Sequence, residues 1–160
     1  METVKTPEIN YAAYAKTRFA EMQAQFAKHG NATAKQRSSR ANYDISGELQ
    51  ISAAVVYTSV SVSGMRYPDG TKLDFDGSGW GIGLGATGST NVSGTMNVSW
   101  QELLDMGDDV HFQVFFLTGG IGGVEISFWD PDYNPIGVLA GGSLGLGGGS
   151  GGGDGQFFKD

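Results

Sequence analysis

The stretch Phe75-Asp-Gly-Ser-Gly-Trp80-Gly-Ile-Gly-Leu-Gly85 carries the reading of the architecture. Trp80, Ile82 and Leu84 alternate with Gly79, Gly81, Gly83 and Gly85, which is the period of a β-strand. One face of that strand has almost no side chains. Glycine in a strand interior costs up to roughly 1 kcal/mol relative to alanine. A small sheet closed on itself gives a reason to accept that cost, because it needs strong bending and close backbone approach. The bare face leaves room for large side chains from across the lumen, and Trp80, Phe112, Phe115, Phe128 and Trp129 are the candidates. A barrel filled in this way has no ligand cavity.

The sequence on either side reads as further strands. Ile45–Ser63 alternates and is rich in β-branched and aromatic residues, among them Ile51, Val55, Val56, Tyr57, Val60 and Val62. Pro68-Asp-Gly70 is a turn. Lys72–Asp76 alternates strictly, with Leu73 and Phe75 on one face, and Thr95–Trp100 alternates again. Gln101–Met106 breaks the period and predicts a short helix capped by Ser99. His111–Leu117, Val124–Trp129 and Ile136–Ala140 resume strands, with a proline-rich turn at Asp130–Pro135. Seven or eight short strands separated by turn signals predict an antiparallel barrel or sandwich, and the glycine pattern favours the barrel.

The chain of 160 residues divides by composition. Residues 1–40 carry a net charge of +4 and residues 41–160 carry −11, and 25 of the 27 glycines follow residue 60. Residues 1–30 read as a basic amphipathic helix: Thr6 is a plausible N-cap, Pro7 and Glu8 suit a first turn, and Gly30-Asn31 is a stop signal. Ala12, Ala15, Phe19, Met22 and Phe26 recur at spacings of three and four and form one stripe. Residues 31–42 are polar and without period, a linker. Residues 43–160 are the glycine-rich barrel domain. The helix stripe needs a cover. It can be the body of the same chain, a protein partner or second copy, or an acidic membrane surface; Phe19, Met22, Phe26, Lys16 and Arg18 are the contact residues in the latter cases.

The chemical motifs are weak. There is no cysteine, so thiol catalysis, disulfides and thiolate zinc sites are excluded. Gly83-Leu-Gly-Ala-Thr-Gly88 matches the dinucleotide fingerprint, but the residues after it are poor helix formers, and a pyrophosphate needs a helix N-terminus there. Asp130-Pro-Asp-Tyr-Asn134 begins like a calcium loop, yet Pro135 stands where glycine is required and Gly141 where glutamate is. His111 is the one histidine of the body and lacks a nucleophile elbow nearby; Glu48, Glu102 and Glu125 have no glycosidase signature. The acidic body disfavours nucleic acid. The expectation is a protein without enzymatic activity, metal or other cofactor.

The segment from Phe75 to Gly85, then Ser93-Gly-Thr-Met-Asn97, the ending Ile126-Ser-Phe-Trp-Asp130, Ile136-Gly137 and the run Gly141–Gly152 together resemble the C-terminal domain of the virulence-associated (Vap) proteins of Rhodococcus equi. The resemblance covers about residues 43–158. It implies a compact eight-stranded antiparallel β-barrel with a short helix and no enzyme site. It also implies secreted or surface proteins that alter phagosome maturation in macrophages, some of them associating with membranes. The head departs from the family pattern of a signal peptide followed by a variable, disordered segment, because residues 1–40 hold no apolar signal-peptide core. A competing function is a carbohydrate- or small-ligand-binding barrel with Trp80, Trp100, Trp129, Tyr67 or Tyr133 as stacking platforms.

Overall fold

A computed structural model describes residues 10–29, 42–53, 57–82, 88–116, 123–142 and 150–160. The inner face of the eight strands is apolar, and each strand buries it by pairing with two neighbours in a ring. The strands are β1 (Tyr43–Ala53), β2 (Tyr57–Arg66), β3 (Lys72–Ile82), β4 (Gly88–Met96), β5 (Val110–Phe116), β6 (Val124–Trp129), β7 (Pro135–Gly141) and β8 (Ser150–Lys159). They close in the order β1-β2-β3-β8-β5-β6-β7-β4, every pairing antiparallel. Two meanders, β1–β3 and β5–β7, are joined on one side by β4 and on the other by β8. Helix α1 (Tyr11–His29) lies outside the barrel, and the short helix α2 (Trp100–Asp105) follows β4. Ser99 caps α2 by accepting from the Glu102 N–H at 3.2 Å, as its sequence predicts.

The glycine reading holds on the β3–β8 seam. Gly77 pairs with Gly155, Gly79 with Gly153 and Gly81 with Gly151, so three rungs carry no side chain. β8 in turn sets these glycines opposite Val110, Phe112 and Val114 of β5. A Cβ at Gly77 would stand 2.6 Å from the Phe112 ring, so the ring occupies the space that the missing side chain leaves. Phe75 is the hub of the lumen, with ring centroids 5.6 Å from Phe112, 5.0 Å from Phe128 and 4.8 Å from Phe157. Such tilted and edge-on contacts suit the aromatic quadrupole.

Three of the expected lumen residues are elsewhere. Trp80 is 73% exposed on the outer wall, and Phe115 and Trp129 are half-buried, also outside. The cause is strand parity: successive side chains alternate between faces, so Phe115 cannot share a face with Phe112, nor Trp129 with Phe128, nor Trp80 with Phe75. Phe75 and Phe157 fill their place. Ile45–Ser63, read as one alternating run, folds as β1 and β2 paired in a hairpin, whereas Lys72–Asp76 and the Trp80 segment are one strand, β3. The residues after the fingerprint-like Gly83–Gly88 form β4, which offers no helix N-terminus to a phosphate; residues 83–87 lie outside the described residues.

Helix α1 seats its first half on β4 and β7. Ala15 and Phe19 are fully buried against Val138 and Ala140, with Tyr11, Tyr14 and Met22 around them. A Cβ at Gly94 would stand 2.8 Å from the Ala15 Cβ, so glycine there lets the helix come down onto the sheet. The start of the helix differs from expectation. Asn10 accepts from the Ala13 N–H at 3.0 Å and is the cap, because its amide oxygen reaches the third helical N–H. Thr6, Pro7, Glu8, Gly30, Asn31 and residues 31–41 of the expected linker lie outside the described residues.

Candidate functional site

The outer rows of β5 and β6 follow from parity. Across the pairing, Phe115 faces Glu125, Gln113 faces Ser127 and His111 faces Trp129. On β7, Ala140 and Val138 continue the first two rows and Pro135 the third. On α1, Arg18, Met22, Gln25 and Phe26 are spaced at four, seven and eight residues and share one helix face. The two sets enclose a groove of about 360 Å3, lined by Arg18, Met22, Gln25 and Phe26 from the helix and Gln113, Phe115, Ser127, Trp129 and Pro135 from the barrel. Beyond Gln113 the same row crosses Gly152 to Trp80, a bare glycine floor ending at an exposed indole that meets Tyr57 edge-on at 6.2 Å.

A buried carboxylate anchors the closed end of the groove. Glu125 is 2% exposed. One of its oxygens accepts from the Tyr14 hydroxyl at 3.1 Å and lies 3.3 Å from the Arg18 Nε; the other accepts from the Ser127 hydroxyl at 3.3 Å. A buried charge needs partners of this kind. Burial, and next the negative charge of Glu125, push the Tyr14 phenol up from its ordinary value to about 12. The phenol is therefore a donor to Glu125 throughout the physiological range.

The residues expected to meet a partner or membrane divide. Phe19 is covered by the barrel. Arg18 is turned to Glu125 and lies 3.5 Å from Glu21. Met22 and Phe26 line the groove, half-buried. Lys16 pairs with Asp44 of β1 at 2.8 Å on the exposed surface. Among the stacking candidates, Tyr67 is buried and donates to the Val98 carbonyl at 2.8 Å. Trp100 donates its indole N–H to Asp69 at 3.0 Å, with the Lys159 ammonium 5.0 Å from its ring centre. Tyr133 is 58% exposed and stacks on His111, centroids 3.8 Å apart. Trp80 is exposed on the outer wall against Tyr57, and Trp129 faces the groove.

His111 meets the Asp154 carboxylate of β8 through its Nδ1, not Asp108 or Asp109 beside it in sequence. The Asp130 turn is closed by its own side chain, which accepts from the N–H groups of Asp132 at 2.9 Å and Asn134 at 2.8 Å and from the Asn134 side-chain amide at 3.0 Å. Its carboxylate is thus a turn cap. Among the described residues no three acidic or histidine side chains gather as metal ligands, and no helix is long and apolar enough to cross a membrane.

Sequence reading missed Glu125, Gln113, Ser127, Pro135 and Gln25. The signal for the barrel residues was the alternation itself: with Phe112 and Phe128 assigned inward, Gln113, Phe115, Glu125, Ser127 and Trp129 fall outward together.

Fold and site define a closed antiparallel barrel whose lumen is occupied by its own aromatic rings and whose accessible groove lies outside, beneath a helix. The chain belongs to the Rhodococcus equi virulence-associated protein family, whose profile matches residues 4–158. That match takes in the head, which sequence reading had set apart from the family. Among solved structures, the chain is similar to virulence-associated protein VapB from the intracellular pathogen Rhodococcus equi, at 25% identity and a TM-score of 0.55, over 74% of this chain and 96% of that one. It is similar in the same measure to VapD from that organism, at 27% identity and a TM-score of 0.54, over 74% and 97%. No curated protein matches.

Proposed function

We propose that this chain is a non-enzymatic, host-directed virulence protein, secreted or held at the cell surface, that acts on phagosome maturation through the outer wall of its barrel. The observation that carries the reading is the occupied lumen: Phe75, Phe112, Phe128 and Phe157 fill it, so recognition falls to side chains outside. Membership in the family supports the host-directed part. The helix presents little to a bilayer, because its most apolar face is turned to the barrel. Contact with a protein or small molecule therefore fits the head better than membrane anchoring.

The test presents beads coated with the full chain to macrophages and follows acidification of the bead-containing phagosome. Wild-type coating is expected to delay acidification, and His111→Ala with Asp154→Asn is expected to keep the delay. Trp80→Ser with Tyr57→Ser, both on the exposed wall, is expected to shorten it. Absence of any delay would refute the host-directed reading, and loss of the delay on His111→Ala would refute the non-enzymatic one.

A further inference from the structure

We infer that the groove between the second half of α1 and the β5–β7 wall is a binding site for a neutral, mostly apolar small molecule that carries one hydrogen-bonding oxygen. The inference does not depend on the host-directed reading above, and none of the groove residues is substituted in its test.

The packing of α1 changes along its length. At Ala15 and Phe19 the helix closes onto the sheet completely. One to two turns later Met22 and Phe26 face Phe115 and Trp129 across open space, and all four remain half-buried. Protein interiors and their internal interfaces close to crystal-like density, and gaps larger than a water molecule are few. Here four large apolar side chains converge on a half-enclosed space of about 360 Å3. That volume falls within the range of small-molecule pockets, roughly 300–1,000 Å3. It is too small for a folded partner, and a protein could enter it only with a side chain or two.

The polar groups define the ligand further. Arg18 and Glu125 neutralise one another at the closed end, and Glu21 takes a second contact from Arg18. An anion would approach the buried Glu125 charge; a cation would approach the guanidinium. A neutral molecule meets neither penalty. Arg18 has five N–H donors, and its Nε and one terminal nitrogen are engaged with the two glutamates. The remaining donors, with the side-chain amides of Gln25 and Gln113 on the lining, favour an acceptor oxygen such as a carbonyl, ether or hydroxyl. An aromatic ring or short alkyl chain fits between Trp129, Phe115 and Phe26.

The probe for the test is the full chain titrated with 6-propionyl-2-(dimethylamino)naphthalene, a neutral naphthalene bearing one ketone. We expect saturable one-to-one binding with a blue-shifted emission and a Kd on the order of 100 µM or tighter, as the per-atom ceiling for ligands of this size allows. Gln25→Phe from the helix and Gln113→Phe from the barrel each fill the groove, and each is expected to weaken binding by at least roughly tenfold, with helical circular dichroism unchanged. Trp80→Ser should leave it as it was. The anion 1-anilinonaphthalene-8-sulfonate should bind at least roughly tenfold more weakly than the neutral probe. Binding that never saturates, that survives both filling substitutions, or that is as strong for the anion overturns the inference. In the last case a charged partner, or a protein side chain of that charge, takes the place of the neutral ligand.

Discussion

The lumen and the groove share two strands, β5 and β6, and differ in almost every physical respect. On β5 and β6 the inner row is Val110, Phe112, Val114, Ile126 and Phe128, all buried among other apolar side chains. The outer row is His111, Gln113, Phe115, Glu125, Ser127 and Trp129, which mixes aromatic, amide, hydroxyl and charged groups. Inside, glycines on β3 and β8 admit rings until the space is full. Outside, helix α1 closes one end on a charged network and leaves the other end open. A period of two lets one segment serve both ends: one parity fills the lumen and the other lines the groove.

The contrast can be broken most forcefully from within. Phe128→Ala empties the lumen beside Phe75 and is expected to cost about 3–5 kcal/mol of global stability, measured by urea unfolding; a loss under about 1 kcal/mol would mean that the barrel collapses around the hole and the lumen is not the rigid partner of the pair. Phe19→Ala should cost less, roughly 2–3 kcal/mol, and should fall on helix docking. An isolated helix of this length is marginal in water. Helical circular dichroism should therefore be lost below the transition of the barrel, and residues 43–160 alone should keep a cooperative transition. A single joint transition in the Phe19→Ala protein would show that helix and barrel are one cooperative unit.

The charged end of the groove is tested by pH. Because the folded-state pKa of Tyr14 lies at about 12, above its ordinary value of 10, folding favours the neutral phenol. This contribution to helix docking is whole below pH 10 and is lost as the pH climbs through about 12. Ultraviolet titration should show Tyr14 and the buried Tyr67 both ionising late, and Glu125→Gln should bring the Tyr14 step back towards 10, since the glutamate charge is the second cause of its shift after burial. Tyr14→Phe should remove one late step and leave that of Tyr67; if both late steps remained, the shift assigned to Tyr14 would lie elsewhere. The smallest effect belongs to the solvent-exposed rim. Lys16→Ala removes an exposed ion pair with Asp44 and should change stability by no more than about 0.5 kcal/mol.

How much of this was legible before the structure depends on the range of the interaction. The strand period, the turn at Pro68–Gly70, the Ser99 cap and the amphipathic head depend on residues a few positions apart, and each was read from its own neighbourhood. The glycine alternation around Trp80 implied a bare face and a filled barrel, which β3 and β8 show. The error over Trp80, Phe115 and Trp129 was avoidable, since parity within a single strand separates them from Phe75, Phe112 and Phe128. The groove was not legible in the same way. Arg18 and Glu125 are more than a hundred residues apart, and nothing local to either marks them as a pair. Their meeting depends on which strands become neighbours when the ring closes and on where the helix then finds a flat, small-residue surface at Gly94, Val138 and Ala140. Local sequence by itself determined the elements and which of their faces are apolar, because backbone sterics and side-chain periodicity act over one or two turns. Only the tertiary structure decided which outer faces lie under the helix and which remain open, because that is set by the order of strand pairing, a property of the closed barrel as a whole.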